Sequence, residues 1–168
     1  QTDETSLDDR LVNRFDYDGD YGTVLNRFLM QAAIGHPLTV YGSGGQTRAF
    51  IHVKDMVRCI EIAIQNKPNA KDGVRVSNQM TETFKVIDLA KIVSEKTGAK
   101  IEHLENPRNE ADNNDLIVNN DTFIKMGLEP TTLNEGLLEE IHEIALKYTS
   151  RCRKDRIICT SLWRTNDS

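Results

Sequence analysis

Residues 36–53, HPLTVYGSGGQTRAFIHV, carry the clearest structural signal in the sequence. Residues 38–41 and 47–53 are rich in β-branched and aromatic residues, and each predicts a short strand. The glycine-rich stretch at 42–45 between them predicts a hairpin turn. A dinucleotide-binding loop needs a glycine turn that leads from a strand into a helix, and here a second strand follows. The stretch therefore predicts a strand–turn–strand unit without a dinucleotide-binding loop.

Amphipathic helices are predicted on both sides of this unit. Apolar residues between positions 24 and 33 recur at helical spacing, and Gly35 and Pro37 end that helix. After the unit, Asp55 is expected to cap a helix with apolar residues over 56–64. Further strands are predicted over 74–76 and 101–104, and further helices from about Thr83, over 121–126 and over about 134–148. Such alternation of helices and strands indicates an α/β fold.

The sheet predicted from this sequence is small for its helices. A doubly wound domain has several apolar strands that are buried on both faces. Only residues 74–76, Val-Arg-Val, fit that description, and the run is short. The sequence also starts without an initiator Met. We therefore expect the chain to begin inside a longer one and to contain part of a sheet.

Composition excludes several classes of function. With 21 basic and 26 acidic residues the net charge is −5, and no basic stripe is present for nucleic acid. No apolar run approaches the ~20 residues that span a bilayer, and the polar start is unlike a signal peptide. The three cysteines and four histidines lack metal-ligand spacing, so no metal site is predicted. We expect a soluble, cytoplasmic protein, or a plastid stromal one in a photosynthetic eukaryote.

The acid–base pair of short-chain dehydrogenases is absent. That pair is a Tyr followed four positions later by a Lys, which lowers the pKa of the Tyr. The four residues that lie four positions after a tyrosine are Tyr21, Leu25, Gly45 and Cys152. No phosphate-binding P-loop and no Gly-x-Ser-x-Gly elbow occurs either. No catalytic residue is therefore predicted in this chain.

Several polar and aromatic residues are candidates for ligand binding. Arg48 follows the glycine turn and can point its planar fork at a phosphate, although a solvated strand-end arginine fits too. Arg108 follows Pro107 in a polar loop, where a plain surface loop is the alternative. Tyr41 ends a strand and either stacks on a base or lies in the core. The remaining candidates are Asn26 and Arg27 in the first helical turn, and Gln79 after the strand at 74–77.

Taken in order, these segments resemble a known group. The motifs are Leu25-Asn26-Arg27-Phe28, then residues 31–42 (QAAIGHPLTVYG), then Gly44-Gly45-Gln46-Thr47-Arg48. They are similar to the nucleotide-sugar epimerases and dehydratases among the extended short-chain dehydrogenases. Within that group the order is closest to the UDP-sulfoquinovose synthases, which Asn78-Gln79-Met80-Thr81-Glu82 and Asn106-Pro107-Arg108 also resemble.

The resemblance implies the C-terminal part of a Rossmann-like enzyme. That part is mainly a mixed α/β substrate-binding domain with the last sheet strand and helices. It implies a polar segment at 1–20, a nucleotide-sugar-binding domain at 21–150 whose last Rossmann elements lie at about 55–80, and a tail at 151–168. An epimerase or dehydratase fragment and a non-catalytic, self-associating binding module are the alternatives.

The resemblance also implies ligands and roles. The family enzyme uses NAD and converts UDP-glucose and sulfite into UDP-sulfoquinovose, the head-group donor for sulfolipid. NAD and the acid–base pair belong to the N-terminal half, so we expect this chain to bind no NAD and to be inactive alone. Its partners would be a UDP-sugar and either the missing Rossmann half or a second copy in a homodimer. The implied substrate-binding residues are Arg48, Arg108, Tyr41, Asn26, Leu25, Phe50 and Gln79.

Overall fold

The structure is a computed structural model that describes residues 7–11, 15–107, 111, 113–114, 116–133 and 135–161. The helices are α1 Val24–Ala33, α2 Val53–Gln65, α3 Val86–Thr97, α4 Asp121–Lys125 and α5 Glu135–Tyr148. The strands are β1 Leu38–Tyr41, β2 Gly45–Phe50, β3 Glu82–Lys85, β4 Ile101–Leu104 and β5 Asn113–Asn114. The predicted α/β class is confirmed. None of the described helices has the length and apolar character needed to cross a membrane.

The strands form two small sheets. One holds β1 and β4 in parallel, with Leu38 opposite Ile101. The other has the order β3–β2–β5, in which β2 is antiparallel to β3 and parallel to β5. The hairpin predicted at 42–45 is therefore wrong, because β1 and β2 lie in different sheets. The glycine turn carries the chain from one sheet to the other.

Close packing explains why glycine occupies position 44. Its φ of +74° lies in the left-handed region, where a side chain is strained. A Cβ at this position would come within 2.7 Å of Val40 Cγ1 and 2.9 Å of Ile87 Cβ. The Gly44 carbonyl also accepts a hydrogen bond from the backbone N–H of Ile87 (3.0 Å). The turn thus packs directly against the first turn of α3.

The main core lies between α1, α3, α5 and β1. Phe28, Leu29 and Met30 of α1 are fully buried there, and Ile157 of the C-terminal segment joins them. A side-chain amide fixes α1 against β1: Gln31 Nε2 donates to Thr39 Oγ1 (2.7 Å), and Gln31 Oε1 accepts from the Thr39 N–H (3.0 Å). Because a buried amide must be satisfied, this pair sets the register between helix and strand.

Two helix starts differ from the predictions. Thr83 lies in β3 opposite Ala49, and α3 begins at Val86, because pairing with β2 prevails over local helical propensity. The cap of α2 is His52, whose Nδ1 accepts from the Lys54 N–H (3.2 Å). Asp55 is buried inside that helix instead, where it accepts hydrogen bonds from Thr131. The predicted cap at Asp55 is therefore wrong.

The strand predicted at 74–76 does not form. Residues 73–80 carry no regular structure, and the side chains of Val74 and Val76 are 92% and 87% exposed. A strand needs a neighbour to receive its backbone hydrogen bonds, and the described residues offer none here. The second predicted strand also shifts, since β2 runs from Gly45 to Phe50 instead of over 47–53.

Candidate functional site

A cavity of about 450 Å³ opens beside β2, where α1 and α3 begin. This volume falls in the range of small-molecule sites, roughly 300–1,000 Å³. The described residues that line it come from four parts of the chain. They are Gly19, Asp20, Gly22, Thr23, Val24, Arg27, Tyr41, Gln46, Arg48, Ala49, Phe50, Ile51, Val86, Asn106 and Pro107.

One face of β2 supplies a wall of the cavity. Successive side chains of a strand point to opposite faces, so Gln46, Arg48 and Phe50 share a face, and all three line the cavity. Phe50 is held edge-on against Phe84 of β3, with ring centroids 6.0 Å apart. Arg48 is half-buried, and its Nη1 donates to the Thr47 carbonyl at 3.2 Å. The wall thus offers an amide, a guanidinium and an aromatic ring.

The first turn of α1 supplies a second wall. Thr23 caps this helix, because its Oγ1 accepts from the Asn26 N–H (3.4 Å). Arg27 lies one turn on and is only 6% exposed, although it borders the cavity. Its guanidinium carbon lies 4.9 Å from the ring centroid of Tyr41, and its Nη2 donates to the Thr39 carbonyl (3.1 Å). This cation–π contact fixes the Tyr41 ring from one side.

Residues 157–161 form hydrogen bonds with the hydroxyl of Tyr41 and with both carboxylate oxygens of Asp20. The Tyr41 hydroxyl accepts from the Cys159 N–H at 2.6 Å. Asp20 Oδ1 accepts from the Cys159 thiol (3.0 Å) and from the backbone N–H groups of Thr160 (3.2 Å) and Ser161 (3.1 Å). The pKa of the Asp20 carboxyl is held well below its usual range, first by the Cys159 thiol and then by Ser161. Asp20 is therefore an ionised, heavily hydrogen-bonded carboxylate at neutral pH.

The balance of charge and dipole at the cavity favours an anion. Arg27 and Arg48 are the cations among its described lining residues, and Asp20 is the anion there. The N-terminal turns of α1 and α3 also border it through Thr23 and Val86, and their dipoles add positive potential. The rings of Tyr41 and Phe50 supply apolar surface. Such a site suits a ligand that has both an anionic part and a flat apolar part.

The cavity brings together three of the seven predicted binding residues: Tyr41, Arg48 and Phe50. Leu25 is in the main core, and neither Leu25 nor Asn26 is among the lining residues. Gln79 is exposed and lies outside the lining. Arg108 lies outside the described residues, although the two residues before it line the cavity. The binding roles of all seven stay predictions.

Gln46 and Asp20 are among the lining residues that were not singled out from the sequence. Gln46 follows from period-two alternation, because it shares the face of Arg48 and Phe50. Asp20 carried no signal of its own within the polar stretch 1–20, since its partners at 159–161 are about 140 positions away. Arg27 was recognised only as an early-helix residue, and its contact with Tyr41 depends on the packing of α1 against β1.

The glycine turn at 42–44 does not have the form of a turn that holds the pyrophosphate of NAD. Such a group is held by a glycine turn that leads from a strand into a helix. The turn at 42–44 leads from β1 into β2, and the space around Gly44 is filled by Val40 and Ile87. The cavity is built instead from β2 and the starts of α1 and α3.

The chain is similar to one family of proteins over part of its length. The sequence model of the NAD dependent epimerase/dehydratase family matches residues 11–77. The chain is 42% identical over 168 residues to the chloroplastic UDP-sulfoquinovose synthase of Spinacia oleracea, which covers 97% of this chain and 35% of that protein. It is 40% identical over 114 residues to the UDP-sulfoquinovose synthase of Sulfolobus acidocaldarius, covering 65% of this chain and 29% of the relative. The chain therefore spans about a third of the length of these relatives.

Solved structures of nucleotide-sugar epimerases share the fold of this chain. The UDP-glucuronic acid 4-epimerase of Bacillus cereus, in complex with UDP-glucuronic acid and NAD, superposes with a TM-score of 0.57. It is 22% identical, and the match covers 77% of this chain and 40% of the epimerase. At this identity the likeness concerns the fold, which is the Rossmann-like architecture of the epimerases and dehydratases.

Proposed function

We propose, from the premise that this chain carries a domain of the NAD-dependent epimerase/dehydratase family, that its cavity holds the nucleotide of a UDP-sugar. The observation that carries the proposal is the common face of Gln46, Arg48 and Phe50, which meets Tyr41 and two helix N-termini around one cavity. Arg48 and the helix dipoles would take the diphosphate, and the aromatic residues would border the uracil. Leu25, Asn26, Gln79 and Arg108 remain candidates for further contacts.

The test is a calorimetric titration of the chain with UDP. Wild type is expected to bind UDP at one site. Arg48→Ala is expected to weaken binding by roughly 10- to 150-fold, since a hydrogen bond to a charged group contributes about 1.5–3 kcal/mol. Arg58→Ala is the matched control, because Arg58 is an exposed cation on α2 paired with Glu61 (2.9 Å) and lies outside the cavity lining. Equal losses in both variants would refute the assignment of Arg48.

We further propose that the substrate is UDP-glucose and that the reaction to which this domain contributes makes UDP-sulfoquinovose from UDP-glucose and sulfite. The sequence identity to two UDP-sulfoquinovose synthases supports this choice. The chain alone is expected to be inactive and to bind no NAD, because the Tyr/Lys pair and the nucleotide loop are absent from its sequence. Formation of UDP-sulfoquinovose from UDP-glucose, sulfite and NAD by the purified chain would contradict this.

We propose that the outer face of α2 packs against a further β-sheet. Val53, Val57, Ile60 and Ile64 recur at helical spacing on that face and are between 48% and 70% exposed. The opposite face, with Cys59 and Ile62, already packs on Phe123 and Leu128. An apolar stripe left in water is a typical interaction surface.

The occupant of this face is either a Rossmann half or a second copy of the chain. Light scattering is expected to show self-association of wild type, and Val57→Glu with Ile60→Glu is expected to abolish it. A matched pair of charge reversals on α3, Asp88→Lys and Lys91→Glu, should leave association intact, because this exposed ion pair (3.3 Å) lies on a different helix. A monodisperse wild-type monomer that binds no hydrophobic dye would contradict the proposal.

A further inference from the structure

Residues 157–161, here called the strap, contact three residues that line the cavity. The strap is anchored by Ile157, which is 1% exposed and lies in the main core. From there it donates backbone N–H groups to the Tyr41 hydroxyl and to the Asp20 carboxylate. The residue before the strap, Arg156, accepts from the Gly19 N–H at 2.9 Å. Gly19, Asp20 and Tyr41 therefore all depend on this segment for their positions.

Position 19 shows how closely the strap is fitted. A Cβ at Gly19 would lie 2.3 Å from the Cys159 nitrogen and 2.6 Å from the Ile158 carbonyl carbon. Both atoms belong to the backbone, so the clash cannot be relieved by rotating a side chain. Any side chain at position 19 would displace the strap.

The Asp20 carboxylate poses an electrostatic problem that the strap solves. A carboxylate on the wall of a cavity for a diphosphate repels its ligand. Here the Oδ1 of Asp20 receives one thiol and two backbone N–H groups, and its Oδ2 receives the Thr160 hydroxyl (3.3 Å). Because both oxygens of Asp20 accept hydrogen bonds from the strap, the negative charge of the carboxylate is directed toward the strap and is stabilised there.

We propose that the strap makes the cavity competent for an anion, by holding the Asp20 carboxylate and the Tyr41 ring away from the space that the diphosphate occupies. Asp20 is in this account a positioning residue. The inference rests on the proposed nucleotide site, and it adds that UDP binding and strap docking are coupled. By linkage, a strap that favours UDP must in turn be stabilised by UDP.

The test uses variants of the 168-residue chain, in which the strap substitutions lie outside the cavity lining. Ser161→Pro removes both the N–H that donates to Asp20 at 3.1 Å and the side-chain hydrogen bond between Ser161 and Asp20, whereas Ser161→Ala removes only the side-chain bond. UDP affinity is expected to fall by about tenfold in Ser161→Pro, within the usual range of coupling between sites, and to fall less in Ser161→Ala. Adding Asp20→Asn to Ser161→Pro is expected to restore affinity, because a neutral amide does not repel the diphosphate.

A second measurement needs no variant. Hydrogen exchange of the Cys159, Thr160 and Ser161 amides is expected to slow when UDP is added to wild type, whereas amides of α5 are expected to exchange as before. Any one of three results would overturn the inference while leaving the proposed function intact. These are unchanged UDP affinity in Ser161→Pro, no recovery of affinity on adding Asp20→Asn, and hydrogen exchange of the strap amides that UDP does not slow. A wild-type chain that binds no UDP would overturn the proposed function, and the inference with it.

Discussion

The two contacts of Tyr41 can be separated by substitution. Tyr41→Phe removes the hydroxyl that accepts from the Cys159 N–H at 2.6 Å but keeps the ring 4.9 Å from the Arg27 guanidinium. A buried donor left without its acceptor costs about 1–3 kcal/mol, and partial exposure of this bond puts the expected loss at about 1 kcal/mol. Tyr41→Leu also removes the ring, and the lost cation–π contact adds roughly 0.5–2 kcal/mol.

The assay is urea unfolding followed by fluorescence and circular dichroism, with the free energy of unfolding taken from the midpoint and slope. Tyr17→Phe is the matched control. Its hydroxyl accepts from the Arg153 N–H at the same distance, 2.6 Å, yet Tyr17 does not line the cavity. Tyr17→Phe should therefore cost similar stability and leave UDP affinity unchanged. The reasoning is refuted if Tyr41→Phe unfolds like wild type, or if Tyr41→Leu is no less stable than Tyr41→Phe.

Three further predictions concern titratable groups. Wild type is expected to exceed Asp20→Asn in free energy of unfolding by a constant amount above about pH 4, and this difference should shrink as the pH falls. The reason is that the bonds to the strap lower the folded-state pKa of Asp20. Urea unfolding over a pH series measures the difference, and a constant value down to about pH 2.5 would contradict the prediction. Burial raises the pKa of the Cys59 thiol, so iodoacetamide should modify it far more slowly in the folded than in the unfolded chain; equal rates by mass spectrometry would speak against its burial. Asp55→Ala should lose about 2–3 kcal/mol in urea unfolding, since the carboxylate accepts from the Thr131 N–H (2.6 Å) and hydroxyl (2.9 Å), and a stability equal to wild type would show that these bonds contribute nothing.

The sequence predicted the elements whose signal is local. The helix over Val24–Ala33 and the strand over Leu38–Tyr41 follow from apolar periodicity and from the breakers that bound them. A short helix was also predicted over 121–126, and it forms over Asp121–Lys125. Local patterns suffice there because the buried face can be read from spacing alone.

The elements that were missed depend on distant partners. Thr83 entered a strand because β2 receives it, and residues 74–76 did not form a strand because the described chain supplies no neighbour. The glycine turn at 42–45 gave no sign that its two strands join different sheets. Tertiary pairing of this kind prevails over propensity, and no single-sequence pattern records it.

The candidate site likewise contains some residues that the sequence related to one another and others that only the folded chain brings together. Arg48, Phe50 and Tyr41 lie on or next to one motif, so the sequence placed them near each other and the cavity includes all three. Asp20 and the strap are far apart in sequence, and only their hydrogen bonds in the folded chain relate them. Gln79 followed a predicted strand that does not form, which removed the reason for placing it at a sheet edge.

The proposed nucleotide site can be tested by mapping the binding of UDP onto the chain by NMR. Isotope-labelled wild-type protein is titrated with UDP, and the shifts of the backbone amides are followed. A nucleotide in the cavity should give saturable shifts concentrated at residues 19–27, 41, 46–51 and 159–161, with α2 residues 58–65 unaffected. Shifts centred on α2, or no saturable shift at any amide, would contradict the proposed site.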